Sequence, residues 1–149
     1  MNTSRYGSML FALLVVFVAT AQSRAADVAQ VKVSVGTVHI ERGAQRLPAP
    51  VGTRVEASDT IVTGAYGKVG ITFVDDSRLS AGPNSTLAIT RFSFNQNTHA
   101  GTLDATLKRG TLSVVSGKLA KQSPDAVTVR TPSTILGVRG TEFVVRVGE

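Results

Sequence analysis

The 149-residue chain contains no cysteine and no tryptophan, and only two tyrosines and two histidines. Without cysteine there can be no disulfide, thiolate metal site, thiol nucleophile or lipid-modified N-terminal cysteine. His39 and His99 stand sixty residues apart, which leaves no His-rich metal spacing. Charge is thin as well, with 17% charged residues against about 25% in ordinary domains. With 42% apolar residues, the composition excludes a disordered chain and fits one small packed domain.

No run in the chain is long enough to cross a bilayer comfortably. Met9–Ala21 is uncharged but only thirteen residues long. Arg5 precedes it, and small Ser23 and Ala25 follow where a signal peptidase prefers them. The three parts predict a secretory signal peptide over residues 1–25, with an uncleaved anchor as the alternative because Arg24 adjoins the site. Export would place the protein in the periplasm or outside the cell, with no membrane span in the mature part.

Sixteen basic and ten acidic residues give a net charge of +6 and a pI near 10.3. Loss of Arg5 and Arg24 with the leader leaves fourteen basic residues against ten acidic, about +4. These are scattered, and only Lys108 and Arg109 are adjacent. With no basic helix or aromatic–basic interleaving, no nucleic-acid partner is expected. A mildly positive surface facing anionic envelope components accounts for the charge.

What is present is short alternation broken by Gly, Pro, Asn and Asp, and no convincing helical period. Val31–Val35 and Thr37–Glu41 alternate, and Arg42–Gln45 reads as a hairpin turn returning towards Leu47-Pro48. Val69, Ile71 and Phe73 alternate before a turn at Asp75–Ser77. Thr86–Thr90, Arg91–Phe94 and Thr102–Leu107 follow as separate strands, with a turn at Lys108–Gly110. Gly117–Asp125 reads as a polar loop, and Pro132 stops the strand Ala126–Thr131. Such short strands need stacking or closure. The expected fold is all-β, a compact β-solenoid or β-roll, with a β-sandwich as the alternative and a single domain over residues 26–149.

The closing segment switches its apolar face. Leu136 and Val138 share one parity, whereas Phe143, Val145 and Val147 share the other. Gly140 sits at the switch, where a bulge or bend is easiest. "Thr131-Pro-Ser … Gly137-Val-Arg-Gly-Thr-Glu-Phe-Val-Val" resembles the closing signature of the FecR-like domain family. Upstream, "Val51-Gly-Thr … Asp59-Thr-Ile-Val-Thr-Gly64", "Gly70-Ile-Thr-Phe-Val-Asp-Asp-Ser-Arg-Leu79", "Pro83-Asn-Ser-Thr-Leu87" and "Leu107-Lys-Arg-Gly-Thr-Leu112" fall in that family's order. The resemblance covers about residues 51–147. It departs at Asp76, where the family usually has Gly after the Asp.

The resemblance implies a structural or partner-facing role for Thr131, Pro132, Gly137, Val138, Arg139, Gly140, Thr141 and Phe143. The family's founding members relay a signal from an outer-membrane transporter to a cytoplasmic sigma factor, through a cytoplasmic region and a membrane span that precede the β domain. Here the domain follows the leader almost directly. The resemblance therefore implies a free-standing exported module that depends on a second protein to pass a signal inward.

The residues offer no constellation for catalysis. There is no Gly-x-Ser-x-Gly elbow, and each histidine lacks a suggestive neighbour, so both are expected at the surface. Asp75-Asp76-Ser77 fits turn chemistry better than a cation site. Glu56 and Asp59 are too isolated to suggest a glycosidase pair. No cofactor and no enzymatic activity are expected. The function expected is a periplasmic interaction module in signalling or regulation, binding an envelope protein. The alternative is an envelope carbohydrate- or polymer-binding protein. Sugar binding would need exposed aromatic platforms, and Phe73 and Phe143 have core parity, which leaves Tyr66, Phe92 and Phe94.

Overall fold

The structure is a computed structural model and describes residues 25–139 and 142–148. The signal peptide expected over residues 1–25 lies outside the described residues except for Ala25, and Gly140, Thr141 and Glu149 lie outside them too. The described chain is all-β apart from one five-residue helix. In order the elements are β1 (Asp27–Val35), β2 (Val38–Arg42), β3 (Gln45–Pro48), β4 (Arg54–Glu56), β5 (Thr60–Thr63), β6 (Lys68–Phe73) and β7 (Arg78–Ala81). β8 (Thr86–Phe94), β9 (Gly101–Val115), α1 (Lys118–Gln122), β10 (Val127–Arg130), β11 (Ile135–Gly137) and β12 (Glu142–Val147) complete the chain. No helix among the described residues is long and apolar enough to cross a membrane.

Twelve strands form one sheet that curls into a half-barrel around its own apolar face. β9 is the spine. Its first part pairs with β8, through which β5, β2 and β3 follow, and with β10, which carries β11. Its last part, Gly110–Val115, pairs with β12 and with β7, beyond which lie β6, β1 and β4. Only the β9–β10 pairing is parallel among the described strands.

Residues that alternate along each strand fill the inside of the curl. Ile40, Ile61, Leu87, Ile89, Leu103 and Leu107 come from one half, and Ile71, Phe73, Leu79 and Leu112 from the other, all at most 2% exposed. Strict alternation cannot hold along the long strands, because Leu107 and Leu112 both point inward at opposite parity. The extra residue is absorbed where the β8–β9 register shifts beside Gly110, which takes a positive φ of 93°. Lys108–Gly110 is therefore a bend inside one strand, not the expected turn between two. β8 behaves likewise: the two short strands expected over residues 86–94 are one, with a register shift between Ile89 and Arg91. A third shift lies between Val31 and Val33 of β1. It turns Val33 and Val35 to solvent, 41% and 55% exposed, although they continue the alternation of buried Val31.

The expected loop over residues 117–125 holds α1 instead. Leu119 supplies the reason, since its side chain is wholly buried in the core. Asp75 fixes the helix start: its backbone carbonyl accepts from Lys118 N at 2.8 Å, and its Oδ2 accepts from Leu119 N at 3.3 Å.

Candidate interaction edge

The closing segment is built from two short edge strands and the turn before them. Thr131 closes that turn: its N–H donates to the Thr134 carbonyl at 2.8 Å, and its Oγ1 accepts from Thr134 N at 3.1 Å. Pro132 sits exposed within it, where no N–H is needed. Gly137 ends β11 in open space. Val138 is 2% exposed and donates its N–H to the Val127 carbonyl, so it anchors the segment. Arg139 reaches out to Asp125 at 3.3 Å, an ion pair exposed on both sides and worth little. Phe143 packs half-buried against the core. Of the residues singled out by sequence, Val138 and Phe143 hold the segment in place, and Pro132, Gly137 and Arg139 face outward. The parity switch at Gly140 and Thr141 lies outside the described residues.

β12 lays Phe143, Val145 and Val147 on the core side and Glu142, Val144 and Arg146 on the outer side. Val144 is 65% exposed. Among the described residues β12 pairs with β9 alone, so the backbone groups of its other edge have no strand beside them. β11 pairs only with β10 and shows Ile135, 61% exposed. A sheet edge of this kind can accept an added strand from another chain.

The polar clusters elsewhere are spent on the fold. Arg42 grips Asp59 through two hydrogen bonds of 2.8 and 2.6 Å and reaches Glu56 at 2.8 Å. Glu56 and Asp59, which look isolated in the sequence, therefore share one guanidinium. The hydrogen bond to Asp59 raises the Arg42 pKa further above its usual value, against the opposing effect of burial. Glu56 N also donates to Asp59 Oδ2, which locks the turn from β4 to β5. The second cluster centres on wholly buried Asp75, which accepts from Ser77 N at 3.1 Å and Ser77 Oγ at 2.6 Å, as well as from α1. All three carboxylates, Glu56, Asp59 and Asp75, are occupied by protein donors, which suits turn and cap chemistry.

The histidines divide. His39 was expected at the surface, yet its side chain is 12% exposed in β2, with Nε2 3.5 Å from Glu41 and Nδ1 3.2 Å from Arg46. The partly covered flank of the β2–β3 hairpin encloses it. His99 stacks on Phe94 with ring centroids 5.9 Å apart. Phe73 is core, as its parity predicts, and packs against half-buried Phe92 at 5.2 Å. Tyr66, 90% exposed, is the one fully exposed aromatic among the described residues, with Phe92 and Phe94 half-buried against the core. A single ring is a poor sugar platform.

Residues 59–149 match the FecR protein family, more than half of the chain. No match is found among curated proteins or solved structures. The matched segment begins at Asp59 and includes β5 to β12, so the spine, the buried Asp75 turn and the edge strands all lie within it.

Proposed function

We propose that this chain, which belongs to the FecR protein family, is an exported, non-catalytic interaction module that binds a protein partner in the bacterial envelope. The family is one of signalling and regulatory modules, and a protein-interaction role follows from membership. The observation that carries the reading to this chain is the exposed edge of β12, with Val144 outward and Phe143 and Val145 held against the core. A strand anchored on one face and open along one edge is a rigid template for another strand, which gains affinity through backbone hydrogen bonds. Export rests on Arg5, the apolar run 9–21 and the Ser23-x-Ala25 ending. The sheet's tight curl accords with a roll-like architecture, in which partners meet ends and edges.

The reading is tested by capturing partners from envelope extracts with tagged protein and with its Val144→Asp variant. A charged residue with poor strand propensity on an edge strand disfavours strand addition. The expected result is a discrete protein retained by the parent and lost, by about tenfold or more, with the variant. Equal retention by both, or saturable hydrolysis of a peptide, ester or glycan by the purified protein, contradicts it.

A further inference from the structure

The outer face of the sheet half built from β1, β6, β7, β9 and β12 carries an unusual cross-section. One row of register partners crosses all five strands: Val33, Gly70, Ser80, Ser113 and Val144. The ends are exposed valines and the middle is floored by glycine and serine, which makes a trough. Thr72, Arg78 and Val115 form its wall on one side, in register with Gln30 and Glu142. Lys68, partnered with Val35, and Arg146, partnered with Thr111, flank the other side. At the β1 end the trough deepens into a depression of about 380 Å³ lined by Lys32, Val33, Gly70, Thr72, Arg78 and Ser80. Gly70 makes the depth possible, because Val33 lies across it and a Cβ there would stand 3.2 Å from Val33 Cβ.

Charge on this face is one-sided. Lys32, Lys68, Arg78 and Arg146 are exposed around the trough, and Glu142 is the acid in its rows. Among the described residues none of these four cations is in an ion pair. Arg42, Arg54, Arg91, Lys118 and Arg139 each meet a carboxylate, whereas these four converge on one face with a single acid in its rows. Five strands at about 4.8 Å spacing span roughly 19 Å, which an extended segment of about six residues covers. The row ends at Val144, so the trough is continuous with the open edge of β12.

We propose that this trough docks an extended acidic segment of a protein partner, with apolar side chains set between the valines and carboxylates answering Lys32, Lys68, Arg78 and Arg146. The inference rests on the partner-binding reading above and adds the chemistry of what is bound. A polypeptide is favoured because the row of small side chains ends on an open strand edge, and its exposed valines and cations suit alternating apolar and acidic side chains. A glycan would want aromatic platforms, which the face lacks.

The test titrates the leaderless protein with an alternating Glu–Val octapeptide, followed by amide NMR, beside Lys–Val and Ser–Val octapeptides and vesicles of equimolar phosphatidylglycerol and phosphatidylcholine. The Glu–Val peptide is expected to shift the amides of Gly70, Ser80 and Ser113, and to weaken steeply as salt is raised. The Lys68→Glu/Arg78→Glu variant should lose about tenfold or more in affinity. Ser113→Phe, which fills the floor without changing any charge, should lose binding equally. Each variant's spectrum reports whether it is folded. Equal binding of the Ser–Val peptide, no binding of the Glu–Val peptide, or stronger binding to the vesicles overturns the proposal. Shifts confined to β12 overturn the trough and leave the edge-strand reading standing.

Discussion

A Cβ at Gly117 would collide with the backbone of Asp75, Asp76 and Ser77. The turn after β6 and the start of α1 close on each other there, tied by Gly117 N donating to Ser77 Oγ at 3.0 Å. Gly117→Ala should therefore destabilise the protein by about 1–3 kcal/mol, as overpacking against backbone does, and an unchanged denaturant midpoint would contradict this contact. Asp76 sits in the same turn at φ 68°, a left-handed conformation that glycine adopts without strain. The departure from the family pattern thus has a local consequence, and Asp76→Gly should raise the midpoint at neutral pH. The substitution also removes a charge. The hydrogen bond and charge of Lys118 lower the Asp76 pKa below its ordinary 3.8. That small contribution is present above the ordinary value and lost as pH falls through the lowered one. The variant's advantage should accordingly widen in acid, and unfolding curves at neutral and acid pH check both points.

At the scale of elements, the bends matter more than the strands. Gly110 lets β9 serve both halves of the sheet, and Ser85 fills the space beside it, accepting from Thr111 N at 3.0 Å while wholly buried. A side chain at Gly110 would meet Ser85 directly, at a φ that L residues avoid. Gly110→Val should cost about 1–3 kcal/mol through strain alone, read by the same unfolding midpoint, and a neutral outcome would mean that β9 does not depend on this bend. Arg42 is the other element-scale tie. Arg42→Met leaves Asp59 and Glu56, 1% and 9% exposed, without a cation. The loss should be about 3 kcal/mol, at the lower end for broken buried pairs, because Arg42 itself is 30% exposed. A midpoint within about 0.5 kcal/mol of the parent would reassign the cluster to the surface.

The same elements show what was legible beforehand. The hairpin turn at Arg42–Gln45, the core parity of Val69, Ile71 and Phe73 and the turn at Asp75–Ser77 follow from two-residue periodicity and turn chemistry. The bends at Lys108–Gly110 and after Ile89 were hidden, because a bulge and a turn share residues and only the partner strand distinguishes them. α1 was hidden because five residues are too few to show a helical period. Val33 and Val35 continue the alternation of buried Val31 yet face solvent, since the shift after Val31 is set by pairing with β6. The closing motif was legible as a motif. Its division into anchors and outward residues needed the sheet.

For the whole molecule, an expected leader precedes a curled sheet with an open edge. If residues 1–25 are a cleaved leader, intact mass of the periplasmic protein should lack them; a full-length, membrane-bound species would place the domain on an anchor. The central claim is that β12 is where the protein meets its partner. A photo-crosslinking residue at position 144 in living cells measures that most directly, with position 90, exposed on the other sheet half, as the control. The account predicts one discrete protein adduct from position 144 and none from position 90. Adducts of the same pattern from both, or none from position 144 in a folded protein, would contradict it.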